Sequence, residues 1–163
     1  GYTLKLPLEE RRLQTRKEFL DDIAMSLGGY VAEEMVFGDV TTGPSNDLQV
    51  STALARDMVT KYGMSENIGP IALEGSGGRA LFGRGVDGRD YSENVSAKID
   101  AEVSKIMNDG FARAREVCTT HRKALDAIAS ELTARESIER EEFEKILIAN
   151  GIAPKRKKEV VIV

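Results

Sequence analysis

Leu20, Ile23, Ala24, Leu27, Val31 and Met35 repeat at a spacing of three and four residues. That period places side chains in one stripe along an α-helix and demands a partner surface to bury them. Just upstream, Thr15 and Glu18 are spaced as a capping box, in which two side chains satisfy the first orphan amides of a helix. The pattern predicts one helix that starts after Thr15 and stops at Gly38. Ala24, Gly28 and Ala32 are small residues four apart within it, so a second helix is expected to approach closely there.

The rest of the chain follows the same logic. Asp39 to Pro44 reads as a turn-rich loop, and Ser45 as the N-cap of a second helix. Leu48, Thr52, Ala55, Val59 and Tyr62 mark the inner face of that helix, and Gly63 its end. Further helices are expected from near Ser92 to about Cys118 (inner face Val95, Ile99, Val103, Ile106, Ala114 and Val117), around Leu125, Ile128, Ala129 and Leu132, and from about Arg140 to Asn150. Ile138 and Phe143 stand where a hydrophobic staple fixes the start of the last one, and Gly151 closes it. Two stretches break the helical pattern. Tyr2 to Leu6, closed by Pro7, is strand-like, and Glu74 to Asp90 carries glycines at 75, 77, 78, 83, 85 and 88 with no helical period. A loop of that length is usually functional or disordered. The fold class expected is mainly α, with a minor N-terminal β-strand and a long Gly-rich loop. Residues 1–152 form the domain and 153–163 a basic and apolar tail.

Composition narrows the function classes. A net charge of −4 gives no general attraction to nucleic acid or to an anionic membrane. The run Lys155-Arg156-Lys157-Lys158 is local and reads as a solvated tail. A single cysteine, Cys118, forbids an intrachain disulfide and reads as a buried or partly buried small residue. No apolar stretch approaches the roughly 20 residues that span a bilayer, so a soluble piece is expected. The chain opens on Gly1 and passes at once into a strand-like run that lacks a neighbour, which reads as a fragment of something longer.

Few residues carry chemistry on their own. The sole histidine, His121, lies between two helices and reads as a surface or capping residue. Cys118, three residues away, does not make a nucleophile–base pair with it. The glycines of Gly75-Ser76-Gly77-Gly78 lack the G-x-x-x-x-G-K-[ST] pattern of a phosphate cradle. Asp47 falls in the first turn of the second helix, where a carboxylate favours the positive end of the helix dipole. It is also one residue from the buried stripe, so it is expected to point along the interior; a fixed carboxylate beside a core is a suitable hard oxygen ligand for a metal. In Ala32-Glu33-Glu34, two acids at the end of an apolar helix are either solvated or turned inward, one of them to hold a ligand histidine in its tautomer.

Taken in order, the motifs resemble a known family. Gly1-Tyr2-Thr3, Leu6-Pro7, Leu27-Gly28-Gly29, Ala32-Glu33-Glu34, Phe37 to Gly43, Asn46-Asp47-Leu48, Ala55-Arg56, Met58-Val59-Thr60, Gly63-Met64-Ser65-Glu66, Gly69-Pro70, Tyr91-Ser92-Glu93 and Ile99-Asp100-Ala101-Glu102-Val103 are similar to FtsH-type ATP-dependent zinc metalloproteases, over roughly Gly1 to Asn150. The resemblance implies a helical zinc-protease domain behind a membrane-anchored AAA+ ATPase module. It implies six subunits in a ring, with the protease in the cytoplasm or an organelle matrix or stroma. It implies Asp47 as the third zinc ligand, Glu33 beside the site, and Tyr2, Thr3 and Leu4 in a strand that guides extended protein substrates. Two histidine ligands and a general-base glutamate come in that family from H-E-x-x-H.

One departure follows from the histidine count. A chain with His121 alone cannot contain H-E-x-x-H. A catalytic zinc site takes about three protein ligands plus water, and the resemblance supplies one here. These 163 residues by themselves are therefore expected to bind zinc poorly and to be inactive as a peptidase. The alternative is a non-catalytic helical module, kept for oligomerisation or adaptor binding, that descends from the same family.

Overall fold

The computed structural model describes residues 13–73 and 93–154. The expected strand at Tyr2 to Leu6, the Gly-rich loop and the tail after Pro154 lie outside them. The described chain is mainly α: α1 (Arg16–Ser26), α2 (Gly28–Phe37), α3 (Ser45–Thr60), α4 (Glu93–Thr120), α5 (Arg122–Arg135) and α6 (Arg140–Ala149). One isolated antiparallel bridge, Ser65 to Gly69, accompanies them.

α1 begins as its sequence predicts. The Thr15 hydroxyl accepts from the Glu18 amide, and the Glu18 carboxylate accepts from the Thr15 amide at 2.7 Å, a complete capping box. The stripe does not continue as one helix to Gly38, however. It breaks at Leu27, which has φ −76° and ψ −6° and caps α1. Gly28-Gly29 follows, and each glycine favours helix by about 1 kcal/mol less than alanine. The joint falls where the helix is weakest.

The chain divides into two compact units within α4: Gln14–Glu116, and a second whose described residues are Leu13 and 117–154. In the first unit, α1 packs on α3. Phe19, Ile23, Ala24, Leu27, Val31, Ala55, Met58, Val59, Ile99, Ile106 and Ala114 are buried. The buried positions of α4 are Ile99, Glu102, Ile106, Gly110 and Ala114, a run at three- and four-residue spacing. A close helix approach exists, but not at Gly28, where an added Cβ meets nothing within 4 Å. It lies at Gly110, whose added Cβ would stand 2.8 Å from Ile23 Cγ2 and 3.3 Å from Leu27 Cδ1. Of the three small residues, buried Ala24 is at this approach, its backbone N 3.8 Å from the same Cβ.

α3 departs from expectation by one position. Pro44 is its N-cap and Ser45 its first helical residue, with no side-chain cap bond. Its buried face is Ser51, Ala55, Met58, Val59 and Thr60, while Thr52 is exposed and donates to the Leu48 carbonyl at 2.7 Å. Tyr62 is half exposed but stacks on Phe19, ring centroids 5.5 Å apart.

In the second unit α5 packs on α6. Burial there is sparse. Ala124 is the buried residue of α5, and α6 has none. Glu139 is the N-cap of α6, which puts Ile138 and Phe143 at the two positions of a staple. α5 ends on Glu136 at φ 63°, a left-handed cap made without glycine. Among the described residues no helix is long and apolar enough to cross a membrane.

Candidate metal-ligand site

Gly38 ends α2 in the left-handed region at φ 70°, its amide donating to the Glu34 carbonyl at 3.0 Å. A residue with a Cβ adopts that conformation only with strain. The chain then turns through residues 39–44 into α3, and Glu33 organises the turn. Its carboxylate accepts from the Thr41 amide at 2.9 Å and from the Thr41 hydroxyl at 3.0 Å. The same hydroxyl accepts from the Gly43 amide at 3.0 Å. A Cβ on Gly43 would lie 3.0 Å from Glu33 Oε1 and 3.2 Å from Thr41 Oγ1, so the turn is closed tightly around these two side chains. The Ser45 amide donates to the Thr42 carbonyl at 3.1 Å, and buried Pro44 seats the start of α3.

Asp47 stands three residues past the N-cap, in the first turn of α3. Its side chain is exposed rather than aimed along the interior as expected, because the buried face of α3 begins only at Ser51. Among the described residues it joins no hydrogen bond or ion pair. Such a carboxylate fits the part of one oxygen donor to a metal. It does not make a site alone. Among the described residues no group of three or more His, Cys, Asp or Glu side chains could hold an ion. His121 is the exposed N-cap of α5. A full zinc-ligand set is therefore not assembled from the described residues. Glu34, beside Glu33, lies 3.6 Å from Arg115 Nη1. Tyr2, Thr3 and Leu4 lie outside the described residues.

A second polar centre escaped sequence reasoning. Glu102 is 7 % exposed on the inner face of α4. It accepts from the Ser65 hydroxyl at 2.6 Å and from the Asn67 side-chain amide, and the Ile68 amide donates to the Ser65 oxygen at 3.1 Å. The Ser65 bond, then the Asn67 bond, hold the carboxyl below its ordinary value, outweighing the burial that would raise it; Lys105 adds a smaller favourable charge. Arg16 reinforces the same turn, its Nε donating to the Met64 carbonyl at 3.0 Å and its Nη1 pairing with Glu66 at 3.1 Å. A shallow groove of about 430 Å³ runs past Arg16, Ser65, Glu102 and Gly110. The available signal was a carboxylate three residues after Ile99 and four before Ile106, inside the apolar stripe.

The sequence model of Peptidase family M41 matches residues 1–146. The chain belongs to this family. It is 45% identical over 148 residues to the ATP-dependent zinc metalloprotease FtsH of Thermotoga maritima, covering 90% of this chain and 24% of that protein. The protein of the same name from Bacillus subtilis is 41% identical over 158 residues, covering 96% of this chain and 25% of the relative. That from Syntrophobacter fumaroxidans is 43% identical over 147 residues, covering 89% and 23%. The chain thus spans about a quarter of the length of these relatives. Their name implies zinc. Within this M41 chain, two stretches that carry the likeness, Gly63-Met64-Ser65-Glu66 and Ile99 to Val103, meet through the bond from Ser65 to Glu102. Their shared task is to hold a turn against α4. Asn46 and Asp47 are exposed and Leu48 half-buried, just past a turn that Glu33 closes.

Proposed function

We propose that this chain is part of an ATP-dependent zinc metalloendopeptidase that degrades unfolded or membrane proteins, and that its contribution to the metal site is Asp47. The observation that carries the reading is the M41 match across residues 1–146, which includes the Asn46-Asp47-Leu48 segment. The complete protease supplies an H-E-x-x-H segment with the other two ligands and the general base. It also supplies an AAA+ ATPase module that binds ATP, and a membrane anchor that leaves the protease in the cytoplasm or an organelle matrix or stroma. Six subunits form its ring. Zinc, when bound, polarises the scissile carbonyl and activates water. This chain's residues hold one oxygen at the site and present the strand at Tyr2, Thr3 and Leu4 to extended substrates. Residues 1–152 belong to the peptidase domain and 153–163 to a tail. These 163 residues alone are inactive as a peptidase.

The test is Asp47→Asn in the complete protease, with zinc content and ATP-dependent degradation of an unfolded protein measured together. Loss of zinc and at least a hundredfold loss of degradation are expected, because a neutral amide oxygen is a far weaker ligand for a dication than a carboxylate. Full zinc occupancy in the variant, with normal degradation, removes Asp47 from the site.

A further inference from the structure

We infer that Thr41 is a positioning residue for Asp47, the middle member of a latch in which the Glu33 carboxylate, the Thr41 hydroxyl and the Gly43 amide close the turn that launches α3. The inference rests on the reading of Asp47 as a metal ligand and goes beyond it to the residue that aims it. Four observations on the turn converge. Glu33 accepts from both the amide and the hydroxyl of Thr41, at 2.9 and 3.0 Å. The Thr41 hydroxyl in turn accepts from the Gly43 amide at 3.0 Å, so one side chain bonds the turn at both ends. The space at Gly43 is already filled by Glu33 and Thr41. The next residues, Pro44 and Ser45, are the N-cap and first position of α3, and the Leu48 amide donates to the Pro44 carbonyl at 3.0 Å. A rigid turn two residues ahead of a helix sets where its first-turn side chains point, and Asp47 is one of these.

This arrangement gives Glu33 a task other than holding a ligand histidine. Its carboxylate is engaged by Thr41. Thr41 adds what Glu33 cannot do alone, because the carboxylate reaches Gly43 only through the hydroxyl. A metal ligand that is exposed and otherwise unheld gains affinity when its direction is set before the ion arrives, since less freedom is lost on binding.

The experiment uses three variants. Thr41→Val keeps the branched shape and the backbone bond to Glu33 but removes the hydroxyl; Thr41→Ser restores it; Gly43→Ala places a methyl against Glu33. Amide hydrogen exchange is followed first in the 163-residue chain. The Gly43 amide is expected to exchange at least tenfold faster in Thr41→Val and to recover in Thr41→Ser, while amides of Met58 and Val59 in the core stay unchanged. Zinc affinity of the complete protease is then expected to fall at least fivefold in Thr41→Val and Gly43→Ala. The lost activity should return at saturating zinc; because zinc also offsets general destabilisation by mass action, the unchanged exchange of the Met58 and Val59 amides is what separates the two. Unchanged Gly43 exchange in Thr41→Val overturns the latch. Faster exchange with unchanged zinc affinity overturns its link to Asp47. An Asp47→Asn protein that keeps its zinc instead sinks the ligand assignment itself, and leaves the exchange result standing on its own.

Discussion

The two units of this chain are built from the same kind of helix and are held in opposite ways. In residues Gln14–Glu116 four helices bury Ile23, Val31, Met58, Val59 and Ile99 completely, and a buried carboxylate sits among them fully hydrogen-bonded. In residues 117–154 two helices of similar amphipathic pattern bury Ala124, while Val117, Leu132, Phe143 and Ile148 remain 40% exposed or more. Among the described residues of that unit, local devices stand where the first unit has a core. Arg135 bridges Glu131 and Glu142 at 2.8 and 2.6 Å, and Arg122 pairs with Asp126 at 2.8 Å. Exposed ion pairs of this type contribute at most about 1 kcal/mol each. An apolar stripe therefore states that a face can be buried, not that it is.

The contrast can be broken most directly by truncation. Ile23→Ala removes a fully buried side chain packed against Gly110 and should destabilise the first unit by about 2–5 kcal/mol. Phe143→Ala, at a 40% exposed position of the second unit, should lower stability by less than about 1 kcal/mol. Urea unfolding followed by helical circular dichroism checks both, and equal losses would erase the distinction.

Glu102→Ala comes next in size. It leaves the Ser65 hydroxyl and Asn67 amide without their acceptor, a loss of about 1–3 kcal/mol. The same carboxyl predicts a pH dependence. Its folded value lies below the ordinary one of 4.5, so its contribution is present above that pH and is lost as pH falls through the lower folded value. Melting of the first unit should drop more steeply below pH 4.5 in the parent than in Glu102→Gln. Matching acid limbs in the two proteins would count against the buried carboxylate.

The smallest effect belongs to the second unit. Glu136 caps α5 at φ 63°, a conformation that costs a side chain roughly 1–2 kcal/mol and glycine little. Glu136→Gly should raise stability by up to about 1 kcal/mol, since glycine's greater freedom in the unfolded chain offsets part of the relief. A lower Tm in that variant would show the cap to be unstrained.

Much of the fold was legible in local pattern. The capping box at Thr15 and Glu18, the stop at Gly38, the end of α6 at Gly151 and the inward positions Ile99, Ile106 and Ala114 all depend on residues within a few steps of one another. Such signals survive because helix bonds and caps are short-range. The break at Leu27 was less visible, since a glycine pair weakens a helix without dictating whether it bends. Of the candidate site, the residues were legible but not their directions, and Asp47 is exposed where an inward aim was expected. Glu33 and Asp47 were singled out from motif order, and the turn between them was recognised as a turn. What Glu33 bonds was not, because the side chain is eight residues from Thr41 and its direction depends on how α2 ends.

The sequence by itself determined the helical period, the charge balance, the family pattern and the impossibility of an H-E-x-x-H segment in a chain with one histidine. Only the tertiary structure decided that Gly110 is a point of close contact between α4 and α1, that Glu102 is buried against Ser65, and that the Thr41 hydroxyl joins Glu33 to Gly43. The physical reason is separation. Ser65 and Glu102 are 37 residues apart, and no local preference specifies which acid on an amphipathic helix will turn inward. That outcome depends on whether donors from elsewhere arrive to replace water around the charge.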